Sequence, residues 1–229
     1  MPRDGSIMRE RILMAAERLV LQRGFSGTSI EFLLEDLGIT KGTFFYHFKS
    51  KRELALALIE RHARQDGQEL DTFMERAENL TRDPLQQLMV FVGLFEEIGM
   101  AMEKPPDGCL FGAYSYEQAH FDEEIKQVSA KALNRWRIKV GAKLREVIAL
   151  YPPKIQVSPD DLAEMLVSAF EGAFVLGKVF DEPTLFARQL RQYRNYIELL
   201  FGEGASRADT AAGGQASATA SGDLNPQSP

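Results

Sequence analysis

The stretch TSIEFLLEDLGITKGTFFYHFKSK, residues 28–51, decides the fold of this chain. The Ser/Thr-x-x-Glu spacing of a capping box occurs at both of its ends, over residues 28–31 and 50–53. Between them, Gly38 can end one helix, because glycine takes the left-handed conformation there without steric cost. Thr40 can then cap the next helix. This pattern predicts two short helices joined by a tight turn.

The second of these helices, from Lys41 to about Phe48, contains no acidic residue. A helix of about two turns is not stable alone, so Phe44 and Phe48 are expected to pack inward and hold it. Because the major groove of B-DNA admits a helix that reads base edges, we interpret residues 29–48 as a DNA-reading helix-turn-helix. The side chains expected to face the groove are those of Lys41, Thr43, Phe45, Tyr46 and His47.

The open amides at the starts of the helices are predicted to bind phosphate groups of the DNA backbone. These starts are marked by Thr28 and Ser29, by Thr40 and by Lys51, whose side chain adds a positive charge. The alternative is a tight helical hairpin inside an ordinary bundle. It leaves the outward lysine, threonine, tyrosine and histidine side chains without a purpose.

The distribution of charge agrees with a DNA-binding head, although the total charge does not. The 229 residues carry a formal net charge of −6. Residues 1–61 contain 10 Lys and Arg against 8 Asp and Glu, so a slightly basic segment precedes an acidic body. Local positive charge attracts phosphate, while the acidic body limits nonspecific association.

The composition is typical of a cytoplasmic protein. With 45% hydrophobic residues, the chain can bury a sizeable core in one domain or two. The single cysteine, Cys109, excludes an intramolecular disulfide framework. The N-terminus lacks an apolar signal core, and the apolar run near Leu88–Leu94 is far shorter than the ~20 residues of a membrane span. We expect no membrane association, no metal and no cofactor.

Residues 6–56 resemble the DNA-binding domain of TetR/AcrR-type transcriptional regulators. The shared pattern runs from the first helix and its RGF turn, through TSI, to GITKGTFFYHFKSKREL. The resemblance implies that Lys41 to His47 lie on a recognition helix and that Lys51 starts the helix leading to a ligand domain. One departure is Phe45, where the family often has a tyrosine that contacts a phosphate. The neighbouring Tyr46 points about 100° away on a helix.

Beyond residue 56, apolar periodicity predicts helices throughout. They cover about residues 51–78, 85–103, 109–120, 122–150, 159–178 and 185–201. With a first helix over about residues 6–23 and the two short ones, the chain has about nine helices. The predicted fold is all-α. A three-helix DNA-binding domain (residues 1–56) is joined by a long helix to a helical ligand-binding and dimerisation domain (residues 57–202).

Two further segments are expected to be solvated. Residues 203–229 are rich in Ala, Gly, Ser and Thr and hold hardly any large apolar residue, so they are predicted to be disordered. His120 lies near Glu117, Asp122 and Glu123 in the sequence. This metal-like grouping is interpreted as a solvated helix end.

The last two helices are predicted to form a dimer interface. The stretch Ala163–Phe180 is apolar on more than one face, and a symmetric operator needs two reading heads about one DNA turn apart. The family resemblance implies a four-helix interface made by these helices in two subunits. The alternative is a fully buried core helix in a monomer. The residues predicted at the interface are Ala169, Gly172, Ala173, Gly177, Tyr193 and Ile197.

The middle helices are predicted to enclose a pocket for a small-molecule effector. Methionine and aromatic side chains make adaptable walls. Plain core packing is the better explanation for any one of them, and the family resemblance favours a pocket for the group. The predicted lining residues are Phe91, Phe95, Met100, Cys109, Phe111, Tyr114, Trp136, Phe170 and Phe174.

Cys109 has two open interpretations. The segment Gly108–Gly112 resembles the Gly-Cys-Leu start of the sixth helix in one branch of the family, some of whose members respond to electrophiles or oxidants through a cysteine. A thiol at a helix N-terminus has a lowered pKa, and Lys104 can lower it further. A buried cysteine is instead an inert small hydrophobe.

The predicted function is a ligand-responsive transcriptional regulator, a homodimer that represses from a palindromic operator in double-stranded DNA until a small molecule releases it. Ligand binding would tilt the helix that starts at Lys51 and change the spacing of the reading heads. One rival is an all-helical enzyme, but the scattered histidines form no metal set and no catalytic residues are predicted. The other rival is a helical adaptor that binds protein only.

Overall fold

Two apolar cores organise the helices of the computed structural model, which describes residues 3–117 and 123–202. All regular structure in these ranges is helical, so the predicted all-α fold is confirmed. The helices are α1 (Arg3–Arg23), α2 (Ile30–Leu37), α3 (Lys41–His47), α4 (Lys51–Leu80), α5 (Pro84–Met100), α6 (Leu110–Tyr116), α7 (Glu123–Leu150), α8 (Pro159–Phe180) and α9 (Leu185–Phe201).

The first core joins the N-terminal helices to α6 and α7. Apolar side chains of α1, α2, α3 and the first turns of α4 pack together. Leu110, Phe111 and Tyr114 of α6 and Ile125 of α7 belong to the same cluster. The three N-terminal helices therefore share buried surface with the body of the protein.

The second core lies between the rest of α4 and the helices α5, α7, α8 and α9. Helix α4 runs 30 residues through both cores, and the boundary predicted at residue 56 falls within it. A continuous helix transmits rotation and tilt along its length, because bending it strains the hydrogen bonds of every turn. Helix α4 is thus the mechanical link between the two cores.

The local signals in the sequence set most of the helix ends. Gly38 has φ 63° and ends α2, as its position between the two short helices predicts. Ser50 caps α4 by accepting from the amide of Glu53, and the Glu53 carboxylate accepts from the amide of Lys49. Ser158 caps α8 in the same way, with Pro159 in the first turn.

One predicted cap is wrong by a residue. The sequence pattern predicts that the first capping box begins at Thr28. In the structure Ser29 is the N-cap of α2 and accepts from the amide of Phe32. The Thr28 side chain is only 3% exposed, and its hydroxyl donates to the carbonyl of Gly24 at 2.8 Å. Thr28 therefore closes the turn after α1, and the next residue caps α2.

Three predictions concern residues outside the described ranges. They are the disordered tail over residues 203–229, the end of the sixth helix at His120 and the solvated grouping of His120 with Asp122. Within the described ranges, the helices are too short or too polar to cross a membrane.

Candidate functional site

Helix α3 is held from behind by two aromatic side chains. Phe44 and Phe48 are fully buried, with ring centroids 5.9 Å apart, and the guanidinium of Arg9 lies 5.0 Å from the Phe48 ring centroid. Burying two aromatic rings supplies the stability that a seven-residue helix lacks by itself. The inward packing predicted for these residues is confirmed.

The opposite face of α3 is open to solvent. The Tyr46 side chain is 75% exposed, and Lys41 and Phe45 are also exposed. Thr43 and His47 are half-buried at the edges of this face. The five residues therefore lie on the accessible side of α3 or at its margin, as a reading surface requires.

Two of the predicted phosphate sites keep an open helix start. The Thr40 hydroxyl accepts from the amide of Thr43 at 3.2 Å and lies 3.0 Å from the Thr43 hydroxyl. Ser29 is half-buried and caps α2. The Thr28 hydroxyl is buried and unavailable to DNA. At the start of α2, Ser29 is therefore the residue to which the predicted phosphate contact applies.

Lys51 makes an internal contact that the sequence interpretation did not include. Its ammonium donates to the carbonyl of Phe25 at 2.6 Å and lies 4.3 Å from the centre of the Phe25 ring. Burial lowers the pKa of Lys51, and the negative charge of Glu117 acts in the opposite direction. The side chain thus ties the start of α4 to the turn after α1. The prediction of a free phosphate anchor is corrected here.

Glu117, at the end of α6, binds the same turn. Its carboxylate accepts from the amide of Phe25 at 2.7 Å and from the amide of Ser26 at 2.8 Å. The Ser26 hydroxyl donates to it as well. Hydrogen bonds to a carboxylate are about twice as strong as neutral ones. Glu117 therefore attaches the body of the protein directly to the turn that carries α2 and α3.

The predicted dimer residues divide into buried and accessible ones. Ala173, Gly177, Tyr193 and Ile197 are buried inside their own subunit. The Tyr193 hydroxyl donates to the carbonyl of Leu162 at 3.1 Å. These four residues hold α8 and α9 together and cannot lie at a surface, so their assignment to an interface is wrong.

A different set of apolar residues is exposed on α8. Ala169 and Gly172 keep the accessibility expected of interface residues, and larger side chains extend their face. The spacing of three and four residues places them on one side of the helix. We call this set the α8 stripe: Met165, Ala169, Gly172, Val175, Leu176, Val179 and Phe180.

A cavity of about 350 Å³ lies between α1, α4, α5, α6, α7, α8 and α9. We call it the central cavity. Six of the nine predicted pocket residues line it: Phe95, Cys109, Phe111, Trp136, Phe170 and Phe174.

The other three predicted pocket residues lie elsewhere. Phe91 is buried in the second core, and Tyr114 is buried in the first, where its hydroxyl donates to the carbonyl of Ala55 at 3.4 Å. Met100 is exposed and lines a separate surface groove. Their assignment to the pocket is corrected, because helix periodicity does not distinguish a cavity wall from a packed core.

The main omission of the sequence interpretation is the polar side of the central cavity. Its titratable lining residues are Glu17, His62, Asp66, Glu69, Cys109 and Glu171. A signal was present on α4, where His62, Gln65, Asp66 and Glu69 follow the i, i+3, i+4, i+7 spacing of one helix face.

Glu17 links the cavity to the DNA-binding helices. Its carboxylate accepts from Arg61 at 2.6 Å and lies 3.4 Å from Nδ1 of His62. The hydrogen bond with His62, together with the charge of Arg61, holds the pKa of Glu17 below its ordinary value. Because Glu17 belongs to α1, one wall of the cavity is part of the N-terminal helices.

Asp66 joins the acidic wall to the aromatic wall. It accepts from Nε1 of Trp136 at 2.9 Å, and burial raises its pKa above the ordinary value. Burial also raises the pKa of Glu171. Among the described residues, no group of three or more His, Cys, Asp and Glu side chains is arranged to hold a metal ion.

Cys109 is the N-terminal neighbour of α6 and faces this polar wall. Its Sγ lies 4.0 Å from Nε2 of His62. Burial, reinforced by the negative charge of Glu171, raises the pKa of the Cys109 thiol. Of the two interpretations, this environment favours the protonated and inert thiol, because the desolvation of a thiolate outweighs the effect of the helix start.

Two family models match the chain. The model described as bacterial regulatory proteins, tetR family, matches residues 12–58, which include α2 and α3. The model described as tetracyclin repressor-like, C-terminal domain, matches residues 84–193. Together they cover the reading helices and most of the helices around the central cavity.

Relatives agree with this match. The transcriptional regulator AcuR of Cereibacter sphaeroides is 27% identical over 177 residues, which cover 77% of this chain and 78% of AcuR. The transcriptional repressor NemR of Escherichia coli is 37% identical over 75 residues, 33% of this chain and 38% of NemR. A TetR regulator from Chloroflexus aurantiacus has the same fold, with a TM-score of 0.70 at 22% identity over 87% of this chain and 98% of that one.

The environment of Cys109 predicts that its thiol is alkylated slowly in the folded protein. A rise of one pKa unit lowers the thiolate fraction about tenfold, so at pH 8 iodoacetamide should alkylate the folded protein about tenfold or more slowly than the urea-unfolded chain. Mass spectrometry follows the reaction without interference, since the chain has a single cysteine. Equal rates in the two states would show that the thiol is accessible and reactive.

Proposed function

This chain belongs to the tetR family of bacterial regulatory proteins, and we propose that it is a homodimeric repressor which a small molecule releases from a palindromic operator. Its named relatives are transcriptional regulators, so it is a DNA-binding regulator and not an enzyme. The observation that carries the proposal is helix α3, which is anchored by Phe44 and Phe48 and exposes an acid-free face.

The contacts with DNA follow from the exposure of α3. Lys41 and Tyr46 are exposed and lie within reach of the phosphate groups or base edges when α3 enters the major groove. Thr40 and Ser29 mark helix starts whose amides face a phosphate on either side of the groove. Lys51 acts indirectly, by fixing the turn after α1.

Replacing Lys41 by alanine is expected to weaken operator binding and to lower its salt dependence. Loss of one phosphate contact reduces the slope of log K against log salt by about one per bound subunit. The measurement is fluorescence anisotropy on an operator fragment selected from the host genome, between about 50 and 200 mM salt. Lys131→Ala, an exposed lysine on α7, is the matched control. An equal change of slope in both variants would count against α3 as the reading helix.

The α8 stripe supports a dimer. A row of exposed and half-buried apolar residues along about four turns is larger than isolated surface residues explain, and such patches mark association sites. The small residues Ala169 and Gly172 at its centre let a second α8 approach closely. A two-fold axis through this surface would give two copies of α3, as a palindromic operator requires.

Changing Val179 to aspartate is expected to convert the dimer to a monomer. The side chain is 71% exposed in the single chain, so the substitution leaves the subunit core intact and places a charge in a dry interface. Light scattering after size exclusion gives the mass. Ile138→Asp is the control, since Ile138 is 62% exposed but lies on α7. A Val179→Asp protein that remains dimeric would place the interface elsewhere.

Release by ligand is supported by two contacts between the central cavity and the reading head. Glu17 lines the cavity and belongs to α1. Helix α6 starts at the cavity beside Cys109 and ends at Glu117, which binds the amides of Phe25 and Ser26. A ligand that fits the cavity better when α6 is displaced would move the turn after α1. It can shift the equilibrium only by its difference in affinity for the two positions.

Glu117 is expected to influence operator binding although it belongs to the effector domain. Glu117→Gln replaces a charged acceptor of two amides by a neutral one, so the turn after α1 should loosen. We expect a loss of operator affinity of about two- to thirtyfold and faster hydrogen exchange at Phe25 and Ser26. Glu97→Gln, on the exposed side of α5, is the control. Unchanged affinity and exchange in the Glu117 variant would exclude this route.

A further inference from the structure

We propose that the central cavity selects organic cations, molecules that join a positively charged nitrogen to an apolar body. The inference rests on the proposed function, because it assigns a chemical class to the effector of the same cavity. It is carried by carboxylates and aromatic rings that line one cavity.

The carboxylates come from three separate helices. Glu17 lies on α1, Asp66 and Glu69 lie on α4, and Glu171 lies on α8. Among the described lining residues there is no lysine or arginine, and His62 is the only basic side chain. The lining of the cavity therefore holds four carboxyl groups and a single basic side chain.

Two arginines near these carboxylates, Arg61 and Arg135, are already paired. Arg61 contacts Glu17 and Glu10 at 2.6 Å each, and Arg135 pairs with Asp71. His62 faces Glu17 at 3.4 Å. Within the described part of the chain, Asp66, Glu69 and Glu171 form no ion pair. A bound cation would supply the missing partner, and buried charges are normally paired.

A continuous run of aromatic rings also lines the cavity. Trp136 lies 5.6 Å from Phe95 and 5.3 Å from Phe170 between ring centroids. Phe186 continues the run at 5.3 Å from Phe170 and stacks on Phe174 at 5.1 Å. Aromatic faces attract cations, and tryptophan does so most strongly.

Trp136 and Asp66 bring the two walls together. The hydrogen bond of 2.9 Å from Nε1 of the indole places the Asp66 carboxylate at the edge of the Trp136 ring, within the lining of the cavity. An ammonium group placed there would meet both, while its apolar body would extend along the phenylalanine rings. The volume of about 350 Å³ lies at the small end of known ligand pockets, which span about 300–1,000 Å³.

The same arrangement disfavours other ligand classes. An anion would enter a cavity whose carboxylates repel it, without a lysine or arginine among the described lining residues to hold it. A purely apolar ligand would bury the carboxylates further without pairing them, which costs free energy. Charge is therefore the property that should separate ligands of equal shape.

A series of three isosteric probes tests this selection. Benzyltrimethylammonium is cationic, neopentylbenzene is its neutral carbon isostere, and phenylmethanesulfonate is an anion of similar shape. Trp136 is the only tryptophan of the chain and lines the cavity, so quenching of its fluorescence reports binding. We expect the cation to bind the full-length dimer about tenfold or more tightly than either of the other two.

Two carboxamide variants locate the charge. Asp66→Asn keeps an acceptor for the indole and Glu171→Gln keeps the side-chain size, so both should fold. Each should weaken cation binding about tenfold and leave the neutral probe unaffected. Glu75→Gln, an exposed carboxylate on the same α4, is the matched control and should bind like the wild type.

The inference is overturned if the neutral or anionic probe binds as tightly as the cation, if the cation fails to bind, or if both carboxamide variants retain wild-type affinity. The charge series on the wild type decides the question even if a variant does not fold. Fluorescence anisotropy on the operator fragment distinguishes failure of the cation assignment from failure of the proposed function. Cation binding without operator release contradicts the release mechanism alone, and release by a ligand of another class contradicts the cation assignment alone.

Discussion

The turn between α1 and α2 is held from two sides by charged groups of other helices. The carboxylate of Glu117, at the end of α6, accepts hydrogen bonds from the amides of Phe25 and Ser26 in this turn. The ammonium of Lys51, at the start of α4, donates a hydrogen bond to the carbonyl of Phe25. Backbone groups in a turn lack helical partners and must be satisfied in some other way. Because the charged side chains that satisfy them belong to the body of the protein, the position of the reading helices depends on where α4 and α6 lie.

The central cavity is built around the same helices. Glu17 contributes a carboxylate from α1, His62 and Asp66 contribute from α4, and Cys109 stands at the start of α6. A displacement of one end of α6 also displaces the other end, because a helix of seven residues moves as one rigid unit. The lining of the central cavity and the placement of α2 and α3 thus belong to one connected set of contacts.

The sequence predicted much of this protein because its strongest signals are local. Capping residues and Gly38 set the short helices, and the inward positions of Phe44 and Phe48 follow from helical spacing. The cavity was predicted less well: its aromatic wall was largely found, while its acidic wall was missed. The spacing of His62 and Asp66 puts them on one face of α4, but an acidic residue on a helix is solvent-exposed in most proteins, so this spacing by itself does not indicate burial.

What the sequence determined by itself is the order, the ends and the approximate faces of the helices, because hydrogen bonds within a few residues govern them. Tertiary structure alone decided which apolar face of α8 is buried, since the burial of Ala173 and Gly177 depends on helices far away in the chain. It also decided that Lys51 points to Phe25 and that Glu17 and Glu171 share one cavity. Such pairings depend on the packing of whole helices, which no short stretch of sequence encodes.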